Sequence, residues 1–172
     1  MSSFFSQTRQ PTSLGKKHPQ LSESEMTEAF DAAVGASGKN RNTFFEAVNA
    51  PKSPKNVSIE ANMKEASERA GLFAGLMDYY WFMEQVKNKG PWDYKQQGRE
   101  YQNFGNYNYG AAGYAAGIPE SVLLRAAGWA QKQAGTSDES WGSYWFKEPY
   151  GDDPEDQRWI KEGIERAKKS GY

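Results

Sequence analysis

The chain has 172 residues, which bounds it to one domain with room for a tail. Apolar residues make up only 37%, yet six Trp, ten Tyr and nine Phe can each bury roughly 150–250 Å² and so supply a core. A net charge of −1 argues against a strongly basic nucleic-acid surface, and the lack of cysteine excludes disulfide frameworks, thiol nucleophiles and Cys-based zinc sites. The single histidine, His18, lies in a Gly/Lys/Pro/Gln-rich stretch, so the folded part is expected to carry no imidazole. Any catalysis must then rest on carboxylates, lysine, tyrosine, arginine or backbone dipoles, with neither a cofactor nor a metal expected. No apolar run approaches the ~20 residues that span a bilayer, and no apolar signal segment follows Met1.

Residues 1–21 read as a flexible arm and residues 22–172 as one domain. Ser22 to Glu25 open a first helix that Gly35 and Gly38 end, and Asn42 to Ala50 form a short second one. Asn56 or Ser58 caps a long helix running to Lys87. Its stripe of Ile59, Met63, Ala66, Ala70, Phe73, Met77 and Tyr80 alternates four- and three-residue steps, as a buried helix requires. The next position on that stripe is Glu84, a carboxylate either desolvated at the stripe's end or paired with Lys87 at the helix edge. Asn88 to Pro91 stop the helix. Tyr107 and Tyr109 then alternate with Asn106 and Asn108, as in a small β-element near Tyr101–Tyr109, while Ala111 to Ala116 read as a small-residue helix; the two can follow in series. Pro119 starts a helix that closes at Gly135, and Pro154 starts a last one that runs to about Ser170. The expected architecture is mainly α (α+β): a compact helical domain around one long buried helix, with a small β-element forming one wall of a cleft, lysozyme-like in character.

Three clusters carry polar chemistry. Before the last helix, Asp153 suits the N-cap and Asp156 the first turn, while Asp152 has no such structural task and could line a cleft. In Gly90 to Lys95, Asp93 and Lys95 point the same way in an extended turn, and Trp92 and Tyr94 anchor it. The Asn/Tyr ladder, with Asn106, Tyr107 and Tyr109, offers amides and flat apolar faces, the mix that binds sugars.

The segments GPWDYK (Gly90–Lys95), FGNYNYGAAGYAAGIP (Phe104–Pro119), LLRAAGWAQ (Leu123–Gln131) and YGDDPEDQRWIKEGI (Tyr150–Ile164), in this order, resemble the bacterial toxin 44 domain over about Leu72 to Ile164. Asp93, Lys95, Asn106, Asp152, Asp153 and Asp156 stand at places matching that family's motifs; Glu84 follows from the stripe alone. The resemblance implies an antibacterial polymorphic toxin, delivered into rival cells by a type VI or similar route through a secretion-apparatus component, and neutralised by a cognate immunity protein. It also carries a ribonuclease-type expectation made by analogy.

Three functions follow. The first is a muramidase-like glycosidase acting on peptidoglycan in the target periplasm, with Glu84 or Asp93 as acid, a second carboxylate such as Asp152 or Asp153 as base or nucleophile, and Trp92, Asn106, Tyr107, Tyr109 and Asp156 contacting the glycan. The second is a His-free nuclease acting on RNA in the cytoplasm, with Lys95 and Arg99 stabilising phosphate and Asp152 and Asp153 holding a divalent ion. The third is a binding module that uses exposed aromatics.

Overall fold

A computed structural model describes Ser22, Ser24, residues 50–70 and residues 76–172. The chain divides into two units, one of Met1–Arg9 with Lys52–Tyr172 and one of Gln10–Pro51. The expected arm and nearly all of the two helices expected between Ser22 and Ala50 lie outside the described residues. The first unit carries five described helices: α1 (Ile59–Ala70), α2 (Leu76–Val86), α3 (Gln102–Ala115), α4 (Glu120–Gln133) and α5 (Pro154–Lys169). No strand occurs among the described residues.

Ser58, not Asn56, starts α1. Its Oγ accepts the Ala61 N–H at 3.2 Å and its carbonyl accepts that of Asn62 at 3.2 Å, whereas Asn56 has a left-handed φ of 63°. Helix α1 buries Asn62, Met63 and Ala66, and α2 buries Asp78, Phe82 and Val86. The two are not the one long helix expected from Asn56 to Lys87. Their Cα atoms come within 8 Å although six or more residues separate them, whereas a continuous helix holds such pairs more than about 9 Å apart. Arg69 accordingly stacks over the Trp81 ring, 5.5 Å from its centroid. Gly71 and Gly75, each about 1 kcal/mol less favourable than Ala inside a helix, lie between the two, outside the described residues. With the stripe interrupted, Tyr80 is 65% exposed and Glu84 follows it outward.

The turn after α2 is closed by Lys89, whose φ is 62°; its N–H is accepted by Asp93 Oδ2 at 2.8 Å. Trp92 meets Trp81 and Phe82 edge-on, at centroid distances of 5.6 and 6.5 Å. Tyr94 meets Phe104 at 5.1 Å, and its hydroxyl accepts from Asn62 Nδ2 at 2.6 Å. Both aromatics anchor the turn in the core.

Residues expected to form a β-element instead form α3, which supplants the long helix as the central element. Phe104, Tyr107, Asn108 and Ala111 recur at helical spacing, and burial continues on almost every side through Ala115. A helix surrounded this way has no polar face, so its sequence can pass for a half-buried strand. Helix α3 packs against α1, α4 and α5. The contact with α5 is backbone to backbone. A Cβ on Gly110 would lie 2.0 Å from the Ile160 carbonyl oxygen, and one on Gly163 would lie 2.0 Å from the Tyr107 carbonyl oxygen. On α4, Leu123, Leu124, Ala127 and Ala130 face the core, while Val122 is 42% exposed. A Cβ on Gly128 would lie 1.9 Å from the Tyr150 carbonyl oxygen, so the segment leading to α5 crosses α4 at that glycine.

Because neither carbonyl can move without its helix, Gly163→Ala should destabilise the domain by about 3 kcal/mol. Gly105→Ala, on α3 with open space around its Cβ position, should stabilise it by about 0.5–1 kcal/mol. Urea melts of the two variants check this; equal effects would contradict the packing described.

Candidate functional site

The close approach of α3, α4 and α5 leaves one polar pocket between them. Gln102, Asn106 and Tyr109 reach it from α3, at positions i, i+4 and i+7, which share one helix face. Ala127 and Gln131 come from α4, Asp156 and Ile160 from α5, Asp152 from the segment just before α5, and Lys95 from the short 3-10 turn Tyr94–Gln97. The space enclosed is ≈ 40 Å³, room for one or two water molecules. A wider groove of ≈ 500 Å³ runs along the outer side of α5 past Glu148, Pro149 and Lys161, but it is open, and Lys161 and Glu148 pair with each other there.

Asp152 is a strongly perturbed group of the polar pocket. Only 3% exposed, its carboxyl is pushed up to about 7, first by burial and then by the neighbouring Asp156 charge. Gln157 fixes it: Nε2 donates to Asp152 Oδ2 at 2.8 Å and to the Leu124 carbonyl at 3.0 Å. Burial pulls the Lys95 ammonium below its usual range, against the opposing charges of Asp93, Asp156 and Asp152. Tyr109 is buried and donates its hydroxyl to the Leu123 carbonyl at 3.0 Å, and burial with the Asp152 charge holds its phenol well above its usual range. Gln102 Nε2 donates to Asp156 Oδ1 at 3.3 Å. The Nδ2 of Asn106 is fully buried and has no hydrogen-bond partner among the described residues.

Of the residues singled out from the sequence, the pocket gathers Lys95, Asn106, Tyr109, Asp152 and Asp156, with Asp93 adjacent through its charge on Lys95. The others stand elsewhere. Glu84 is part-exposed and pairs with Lys87, one turn on. Asp153 caps α5, its Oδ1 accepting the Glu155 N–H at 2.8 Å. Trp92 and Tyr107 are core residues. Gln102, Gln131 and Gln157 complete the site and were not foreseen as such. The signal for Gln102 was its helical spacing to Asn106 and Tyr109, which the strand reading hid. The arrangement can hold a proton on a buried carboxyl near neutral pH beside a second carboxylate, with amides to orient a ligand. Among the described residues no group of three acidic or histidine side chains forms a metal cage.

The folded chain holds the Asp152 proton up to about pH 7, while an unfolded chain releases it near 3.8. The folded state therefore binds the extra proton between those values, and the Asp152 contribution to stability falls as pH rises through that window, by up to about 1.4 kcal/mol per pH unit. Asp152→Asn, which keeps an acceptor for Gln157, should gain stability relative to the parent chain between pH 5 and pH 8. Thermal melts at both pH values check this, and a constant difference would contradict it.

The family model described as bacterial toxin 44 matches residues 99–169. The span contains α3, α4 and α5 and every pocket-lining residue except Lys95. It begins after the GPWDYK segment, although that segment carries part of the resemblance, and extends past Ile164 through α5. No curated protein and no solved structure matches the chain. The matched stretch, residues 99–169, is thus similar to the bacterial toxin 44 family and contains most of the walls of the pocket.

Proposed function

We propose that this toxin domain is a hydrolase of peptidoglycan glycan strands, with Asp152 as general acid and Asp156 as the base of the pair. The observation that carries the reading is Asp152: a carboxyl buried to 3% exposure, clamped by Gln157 and raised to about 7 beside a second acid. That is how a carboxylic acid is kept protonated at neutral pH to donate to a leaving oxygen. Glu84, the acid suggested by the helical stripe, gives up that role to Asp152, and Asp93 supports the charge of Lys95.

The charge balance favours an uncharged ligand. With Asp152 protonated, Asp93 and Asp156 still outnumber Lys95, so a phosphodiester would meet a net negative field. Asn106, Gln102 and Gln131 supply the amide groups that pair with sugar hydroxyls. The enclosed space is too small for a sugar ring, so the glycan lies across the mouth with the carboxyls beneath it. In this reading the effector reaches rival cells through a type VI-like apparatus, works in their periplasm and is held in check by an immunity protein in the producer. Lys95, which lines the pocket, favours the alternative, a ribonuclease acting in the cytoplasm.

Purified sacculi incubated with the full chain should release muropeptides. Asp152→Asn should lower the rate at least ~100-fold, and the parent's rate should fall as pH rises above about 7. Expression exported to the periplasm should be toxic while cytoplasmic expression is not. Cytoplasmic killing with degraded RNA and intact sacculi would replace this function with the nuclease.

A further inference from the structure

Helix α5 buries one long polar side chain, Gln157, beneath Asp152. Burial takes from a glutamine most of its rotamer freedom, and Gln157 Oε1 is fully buried with no hydrogen-bond partner among the described residues. A methionine would fill much the same space with no polar atom to leave unpaired. What methionine lacks is a donor. Gln157 Nε2 makes two bonds, to the Leu124 carbonyl of α4 at 3.0 Å and to Asp152 Oδ2 at 2.8 Å, so both of its hydrogens are placed. The Leu124 carbonyl decides which way the amide lies. That oxygen can only accept, and turning the amide over would set Oε1 against it, acceptor to acceptor. Nε2 therefore stands beside Asp152 Oδ2. A neutral carboxyl has one good acceptor, its carbonyl oxygen, and one donor, its hydroxyl. The oxygen that takes the Gln157 N–H is the carbonyl oxygen, and the hydroxyl is the other.

We infer that Gln157 is the positioning residue of the pocket acid: it holds Asp152 Oδ2 as the acceptor and so puts the acidic proton on Oδ1. The place of the proton stands on the hydrogen bonds alone; its use in catalysis rests on the reading of Asp152 as general acid. An acid whose hydroxyl is fixed is oriented before the ligand arrives, whereas a proton that changes oxygens is well aimed only part of the time. The Oδ1–H bond is the one that breaks when the proton passes to the leaving glycosidic oxygen, and the Gln157 N–H stays on Oδ2 of the carboxylate that remains. An uncharged donor suits this task. A lysine in its place would hold Asp152 ionised, and a glutamate would compete for the proton. The other charged or titrating groups that act on Asp152 are Asp156 on α5, Asp153 next in the chain, Lys95 on the 3-10 turn and Tyr109 on α3; from α4 come Ala127 and Gln131, which do not titrate. Replacing Gln157 leaves all of these in place, so a change in the titration of Asp152 reports the lost N–H.

Three measurements on the full chain test this. A neutron structure of the perdeuterated parent at about pH 5, which needs no variant to fold, should show deuterium on Asp152 Oδ1 and the Nε2 deuterons of Gln157 turned to the Leu124 carbonyl and to Oδ2. Deuterium on Oδ2 would overturn the inference. By carbon-13 NMR the Asp152 carboxyl should titrate about half to one pH unit higher in Gln157→Met than in the parent, because the lost N–H favours the ionised form. An unchanged midpoint in the folded variant would overturn it. With soluble, uncrosslinked peptidoglycan glycan strands, Gln157→Met should lower kcat about tenfold or more with KM within about twofold, and the fall in rate at high pH should move up with the Asp152 midpoint. A loss of kcat with that fall unmoved would make Gln157 a packing residue and not a positioning one. Strands left uncut by the parent would remove the hydrolase reading, while the neutron and NMR results still decide where the proton sits.

Discussion

Two carbonyl oxygens govern the packing of this domain. The Ile160 oxygen occupies the place where Gly110 would carry a Cβ, and the Tyr107 oxygen does the same at Gly163. The relation is reciprocal: each helix presents a glycine to the other's backbone. With no side chains between the axes, α3 and α5 approach as closely as their backbones allow. The residues flanking the contact, Asn106 and Tyr109 on one helix and Asp156 and Ile160 on the other, are forced to face each other across a narrow gap. Gly128 repeats the device, admitting the Tyr150 carbonyl to the surface of α4 and setting Asp152 beside the same gap. The pocket is thus a consequence of three close approaches. Its size is fixed by main-chain atoms, which give far less than side chains do.

Burying charge in such a gap pits two large effects against each other. Two unit charges 4 Å apart attract or repel by about 4 kcal/mol at the effective dielectric constant of a protein, and the desolvation of each ion costs several kcal/mol. At Lys95 desolvation prevails over three aspartates, and the ammonium is pulled below its usual range. At Asp152 desolvation and the Asp156 charge act together, and the hydrogen bond from Gln157 only partly offsets them. Both shifts bring the ordinary ranges of an acid and an amine closer together, so a proton can move within the site at smaller cost than it would in water. That redistribution is what acid–base catalysis requires.

Much of the helical frame was legible in the sequence, because α1, α4 and α5 each keep a one-sided apolar pattern and start and stop at recognisable residues. Ser58, Gly135 and the Asp153–Pro154 pair act as their positions suggested. The central helix was not legible as such. Periodicity reports a contrast between faces, and α3 has almost none: Phe104, Tyr107, Asn108 and Tyr109 are all buried, and its three glycines depress helix propensity. The long stripe from Ile59 to Tyr80 misled in the opposite sense, since regular spacing continues from α1 into α2, which are separate helices. Glu84 inherited that error. The acids near Asp152 were identifiable as a cluster, but which of them turns inward depends on backbone geometry that no spacing rule contains.

That geometry separates neighbours of identical chemistry. Tyr150 and Gly151 both adopt left-handed φ values, 60° and 81°, immediately before the two aspartates. The reversal is pinned from several sides. Arg125 Nη1 donates to the Tyr144 and Trp145 carbonyls, and its guanidinium stacks on the Tyr150 ring. Ser137 Oγ donates to the Gly151 carbonyl at 2.6 Å, and the Gly151 N–H is accepted by Trp141 at 2.9 Å. Asp152 consequently enters the pocket while Asp153, one residue on, faces the α5 N–H groups and caps the helix. Gly151 meets that φ without the steric cost that Tyr150 bears beside it, and Gly128 gives the turn its seat. The position of the Asp152 carboxyl is therefore set by the loop before it, and the electrostatics of the pocket depend on segment 137–152 as much as on the carboxyl it delivers.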